Sequence, residues 1–219
     1  MSVRLELIGR IAAAIDGTPS RRTIRVGVDG VDGAGKTCFA DELGAVLAAR
    51  GRPVIRAGID SFHNPRAIRY RRGRDSPEGY FLDSFDHDLL RRVLLDPLSP
   101  GGSGRYRVAA FDHITDSAVD VAEESAADGA ILVFDGIFLH RPELAGYWDY
   151  SVFLRVGFDV SVPRCAWRDA TSPDPCAESN RRYVDGQRLY LMRCRPEARA
   201  TVVIDNADLA APSVVGARM

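Results

Sequence analysis

The sequence predicts a three-layer α/β/α fold with a five-stranded parallel sheet. Two observations carry that expectation: strand-length apolar runs alternate with helical patterns, and the first run passes through a glycine-rich turn straight into a helix. Residues 3–15 place Leu5, Ile8, Ile11, Ala12 and Ile15 at helical spacing, and Gly17-Thr18-Pro19 stops the pattern. Residues 23–29 alternate around Ile24, Val26 and Val28 as a buried strand does, and a helix is expected over 35–50. Further strands are read at 53–58, 130–134, 150–156 and 201–204, with helical patterns at 86–95, 159–169 and 177–193. In such a sheet, ligands bind beyond the carboxyl ends of the strands.

Between the second and third strands lies a long excursion. It contains the loop Pro97-Leu-Ser-Pro-Gly-Gly-Ser-Gly104 and short β-like stretches near 105–111 and 118–123. We read residues 1–219 as one domain, with 60–128 a substrate-side flap and hairpin insertion and 159–195 a pair of lid helices. The 46% apolar content suffices for a sizeable core, and the net charge of −1 comes from interspersed signs. A general nucleic-acid partner is therefore not expected. No apolar run approaches a bilayer span, so membrane attachment is not expected either. Cys38, Cys165, Cys176 and Cys194 are widely spaced with no metal-ligand pattern, which suggests free thiols in a reducing cytoplasm. The oligomeric state is left open.

Gly30-Val-Asp-Gly-Ala-Gly35-Lys36-Thr37 fits the pattern G-x-x-x-x-G-K-[ST], and it stands between a strand and a helix, the context the motif requires. Backbone N–H groups freed by the glycines face phosphates, the helix N-terminus favours anions, lysine reaches the β- and γ-phosphates, and the threonine hydroxyl ligates magnesium. The expected phosphate-binding set is Gly30, Asp32, Gly33, Ala34, Gly35, Lys36, Thr37 and Cys38. Of the 29 basic residues only Lys36 is lysine, and a planar guanidinium would fit the same cradle poorly. The implied ligands are ATP and Mg²⁺.

Asp60 follows the second strand in Gly58-Ile-Asp60-Ser-Phe-His63 and is the candidate general base for an attacking hydroxyl; the alternative is that it caps the following turn. Asp135 ends the apolar run 131–135 and is the candidate magnesium-side carboxylate, a turn before Gly136 being the alternative. Phosphoryl transfer spreads negative charge over oxygens, so mobile cations are needed. Arg164 and Arg168 share one face of a lid helix and are the candidates, with Arg181 and Arg182 beyond them. Arg66, Arg69, Arg71, Arg72 and Arg74, interleaved with Tyr70, form either a phosphate-neutralising flap near the acceptor or a plain charged surface.

With these residues, the chain resembles the uridine kinase and phosphoribulokinase group of P-loop kinases, and most of all its bacterial uridine kinase-like branch. The matching pieces are the loop 30–37, Asp60-Ser-Phe-His63, Asp83-Ser-Phe-Asp86, Phe111-Asp112-His113, Asp135-Gly-Ile-Phe138 and residues 164–169. The resemblance implies that Asp60 is the catalytic base, that Asp135 helps to hold magnesium, and that Arg164 and Arg168 are lid cations. It carries acceptor contacts onto His63, Tyr80, Phe111, Asp112, His113, Arg168 and Tyr183.

Departures fall on the acceptor side. Tyr80 stands where uridine kinases carry the aspartate that holds the ribose hydroxyls, Asp116 where they carry a base-contacting histidine, and Phe111 where they carry a tyrosine. The expected activity is direct in-line phosphorylation of a hydroxyl on a nucleoside or related alcohol. The alternatives are another alcohol, such as pantothenate, a sugar or a sugar phosphate, or a nucleotide-binding switch or degenerate kinase without an acceptor. The chain lacks the Asn-Lys-x-Asp guanine signature, which argues against a GTPase switch.

Overall fold

The computed structural model describes residues 2–18 and 23–218. Its centre is a six-stranded sheet of β1 (Ile24–Gly30), β2 (Val54–Gly58), β3 (Ile131–Gly136), β4 (Tyr150–Arg155), β5 (Val202–Asp205) and β6 (Ser213–Ala217), in the order β6-β5-β4-β1-β3-β2. The first five are mutually parallel, as expected. The sixth, which periodicity did not reveal, pairs antiparallel with β5 through a register shift between Val214 and Gly216. Val214 and Val215 are exposed there, so backbone pairing at an edge, not burial, makes this strand.

Successive side chains of a strand face opposite ways, and β3 shows the consequence. Ile131 and Val133 enter a core beneath α1 (Val3–Asp16) and α2 (Lys36–Ala49), whereas Leu132 and Phe134 enter one with Phe81, Phe138 and Tyr190. Ser2 caps α1 by accepting the Leu5 N–H at 3.3 Å. The buried stripe of α1 is Leu7, Ile8, Ile11, Ala12 and Ile15, so Leu7 takes the place predicted for Leu5, which is exposed. Of the expected stop signal, Pro19 lies outside the described residues.

The excursion holds more structure than periodicity suggested. Ser76 accepts the Gly79 N–H at 3.0 Å and Pro77 occupies the first turn, starting α3 (Pro77–Asp83). The pattern at 86–95 is one α-turn, His87–Leu90, continued by a π-helical stretch, Arg91–Leu95. The hairpins shrink to two-residue ladders, Arg105–Tyr106 with Glu124–Ser125 and Phe111–Asp112 with Ser117–Ala118. The region expected to form a lid holds two helices, α4 (Phe158–Asp169) and α5 (Glu178–Cys194), the latter packed on α3. No helix among the described residues is long and apolar enough to cross a membrane.

Candidate active site

β1 delivers the chain to the loop 30–37, where Gly33 and Gly35 take φ of +74° and +85°. A Cβ on Gly33 would lie 2.2 Å from the Ser161 carbonyl oxygen of α4, so this position requires glycine for space as well as conformation. The Lys36 Nζ donates to the Val31 carbonyl at 2.9 Å and lies 3.9 Å from Asp32. Asn206, just past β5, braces the loop by donating to the Ala34 carbonyl at 2.7 Å.

Beneath the loop, Asp29 is fully buried at the end of β1. It accepts from the Gly30 N–H at 2.7 Å, from His140 Nδ1 at 2.6 Å and from the Tyr190 hydroxyl. Tyr190 also accepts the His140 N–H at 3.0 Å, and His140 Nε2 meets the Ser151 hydroxyl at 3.0 Å. Apart from the Gly30 N–H, the partners His140, Ser151 and Tyr190 come from distant parts of the chain, so little in the local sequence marks this network. Tyr190→Phe strips one donor from the buried carboxylate and the acceptor from a buried amide. It is expected to cost about 1–3 kcal/mol in urea unfolding, against a negligible change for exposed Tyr183→Phe.

Thr37 Oγ1 donates to Asp135 Oδ2 at 2.7 Å, and Arg56 holds Asp135 Oδ1 at 3.0 Å. Asp135 is 8% exposed. A hydroxyl beside a single carboxylate suits magnesium, which takes hard oxygen ligands, keeps several waters and completes its shell with substrate phosphates. These two residues fit the ion. Gly58 at the end of β2 pairs in register with Asp135, and the turn Ile59–Phe62 then carries Asp60 over the same edge of the sheet as the loop.

Asp60 opens onto a cavity of about 540 Å³ whose lining includes Asp32, His63, Tyr80, His113, Arg168 and Tyr183. A second cavity of about 550 Å³ lies along Gly33, Gly35, Lys36, Thr37 and Cys38, with Pro163, Trp167 and Leu209 as an apolar rim. Cys165 and Arg168 border both. Trp167 is 92% exposed on α4, and an unburied tryptophan in a lid helix is the signal that the sequence reading passed over.

The two lid arginines part company. Arg164 is tied to carbonyls of Gly33 at 3.3 Å and Ala207 at 2.6 Å, which makes it a brace between α4, the loop and the end of β5. The Arg168 side chain is 67% exposed and, among the described residues, ion-pairs only with neighbouring Asp169, at 2.7 Å. Tyr80 also differs from expectation. Its hydroxyl donates to Asp32 at 2.7 Å, and Gln187 of α5 grips the same residue, accepting its N–H at 2.6 Å and donating to its carboxylate at 3.3 Å. Burial and the adjacent Asp32 push the Tyr80 phenol well above its usual range, so it stays a donor. Phe111 and Asp112 do not line the cavity: Phe111 is buried, and Asp112 caps its own turn through the Ile114 N–H at 2.9 Å and the Thr115 hydroxyl at 2.8 Å.

Comparison with known proteins agrees with this architecture. The family model described as "Phosphoribulokinase / Uridine kinase family" matches residues 25–174. No curated protein sequence matches the chain. Among solved structures, a possible uridine kinase from Bacillus stearothermophilus superposes with a TM-score of 0.71 at 23% identity, covering 90% of this chain and 97% of that one. A candidate fructose transport system kinase from Silicibacter sp. TM1040 gives 0.68 at 21% identity, covering 84% and 94%. D-glycerate 3-kinase from Cryptococcus neoformans var. grubii gives 0.58 at 12% identity, covering 97% and 96%. At these identities the likeness speaks to the fold alone. The family match extends over most of the chain, loop, Asp60 and Asp135 included, and the chain belongs to the phosphoribulokinase/uridine kinase family.

Proposed function

We propose that this protein is an ATP- and Mg²⁺-dependent kinase that phosphorylates a hydroxyl of a nucleoside or related small alcohol by direct in-line transfer. The observation that carries the reading is that two cavities meet at the P-loop, one along Gly33–Cys38 and the other holding Asp60, with Arg168 on their shared border. The acceptor oxygen attacks the γ-phosphorus, the bond to the bridging β,γ-oxygen breaks, ADP leaves, and the hydroxyl proton passes to Asp60. Lys36 and the loop amides hold the polyphosphate, and Arg168 swings from Asp169 onto the transferring group. Magnesium on Thr37 and Asp135 supplies charge neutralisation at the phosphates when bound.

Tyr70, Tyr80, Tyr183 and the His63–His113 pair, stacked with ring centroids 4.7 Å apart, give the acceptor cavity the flat apolar walls that a ring-bearing alcohol uses. Against uridine itself, the Tyr80 hydroxyl is already engaged with Asp32 and leaves ribose hydroxyls without that partner. The structural relatives are named for uridine, fructose transport and D-glycerate, a range consistent with an acceptor set by this cavity alone. The four cysteines are free thiols, in keeping with a cytoplasmic protein. A panel of nucleosides, sugars, pantothenate and hydroxy acids, scored by ADP release, tests the reading. At least one acceptor should raise release about tenfold over the acceptor-free rate, whereas stimulation by none alongside intact ATP binding would leave a nucleotide-binding module without an acceptor.

A further inference from the structure

The five arginines of the flap do not behave alike. Arg71 and Arg72 turn onto Asp83, which is 2% exposed, at 2.5 and 2.8 Å, so each has a carboxylate partner while its side chain stays in solvent. Arg66 and Arg69 instead face the acceptor cavity, where they are joined by Arg182 from α5. Arg182 is 7% exposed, and its guanidinium is held by backbone carbonyls, those of Arg74 at 2.8 Å, Ser76 at 3.3 Å and Arg69 at 3.3 Å among them. Among the described residues no carboxylate lies within ion-pair distance of it. Arg69 is 8% exposed; it shares Asp116 Oδ1 with the Arg66 backbone N–H, and its own Nε has no hydrogen-bond partner. Three guanidinium groups therefore line this end of the cavity, and among the described residues Asp116, on Arg69, is the one carboxylate ion-paired with any of them.

Burying a cation without a counter-charge is costly, and a buried donor without an acceptor adds to that cost. Carbonyl dipoles orient Arg182 but do not neutralise it. We propose that Arg66, Arg69 and Arg182 form an oxyanion subsite, so that the acceptor carries a carboxylate or phosphomonoester group in addition to the hydroxyl that is phosphorylated. The subsite deepens the kinase reading and rests on it for the identity of the reacting group. Planar guanidinium forks suit both oxyanions. Asp32 and Asp60 mark the P-loop side of the same cavity and repel an anion, so the charge pattern turns the acceptor with its anionic end to the arginines and its hydroxyl to Asp60. The oxyanion would also link the flap to α5, whose Arg182 already reaches flap carbonyls.

The test is calorimetric binding to the full chain with the P-loop saturated by Mg²⁺ and a non-hydrolysable ATP analogue, so that phosphate-bearing probes cannot enter the loop. Ribose is compared with ribose 5-phosphate, and glucose with gluconate, which separates phosphomonoester from carboxylate. At least one charged probe should bind tenfold or more tightly than its neutral partner. That preference should fall at least fivefold in Arg66→Ala, an exposed position that does not threaten folding, and in Arg69→Met. Equal binding within each pair, binding by neither member, or an unchanged preference in both variants overturns the subsite. ADP release measured in parallel keeps the two readings apart: anion binding without turnover would refute the kinase and spare the subsite, whereas turnover of neutral acceptors without anion binding would do the reverse.

Discussion

Asp60→Asn is expected to lower acceptor-stimulated ADP release by on the order of 10²–10⁴-fold while leaving ATP affinity unchanged. Asparagine keeps the shape and polarity of the side chain but has no basicity toward an alcohol proton. The carboxylate best placed to replace it, Asp32, already accepts from Tyr80 and Gln187 and lies 3.9 Å from Lys36. Those contacts occupy its oxygens and hold it on the loop, away from an alcohol proton. Because Asp60 lies in the acceptor cavity and does not line the nucleotide cavity, the loss should fall on turnover. Steady-state assays beside ATP-analogue calorimetry check this, and an unaltered rate removes Asp60 from the proton transfer.

Lys36→Ala should weaken ATP binding by on the order of 10–100-fold, the equivalent of one charge-assisted hydrogen bond, and lower turnover by about 10²–10³-fold. The ammonium donates to Val31 within its own loop, a contact that it is expected to exchange for phosphate oxygens when nucleotide enters. Lys36→Arg should fare little better, since a broad planar fork does not reproduce the compact point charge of an ammonium among loop amides. Titration of the two variants with Mg²⁺ and the ATP analogue measures the effect. Wild-type affinity in the alanine variant would contradict the proposed cradle.

How far the sequence could be read varied with the range of the interaction. The five parallel strands, the loop 30–37 and the placing of Asp135 on a strand end followed from periodicity and local spacing. The Ser76-Pro77 helix start carried a local signal that the reading overlooked. The edge strand Ser213–Ala217 carried little, because half-exposed valines show no alternation and pairing with β5 alone makes them a strand. The π-helical continuation at Arg91–Leu95 was likewise invisible, since its apolar spacing over so few residues does not differ from that of an α-helix.

What the residues determined by themselves is the phosphate cradle and its acid: a glycine pattern, one lysine and a threonine on a strand-turn-helix, with carboxylates at strand ends. Such groups are positioned by backbone geometry within a few residues, so their order in the chain is nearly their order in space. Only the tertiary structure decided what each arginine and tyrosine does. Arg164 became a brace, Arg71 and Arg72 were drawn onto Asp83, Tyr80 turned to the loop, and Arg69 and Arg182 were left facing the cavity short of counter-charge. For a long polar side chain, the partner that sets its role is chosen by packing between distant segments, and that choice is not written in the neighbouring residues.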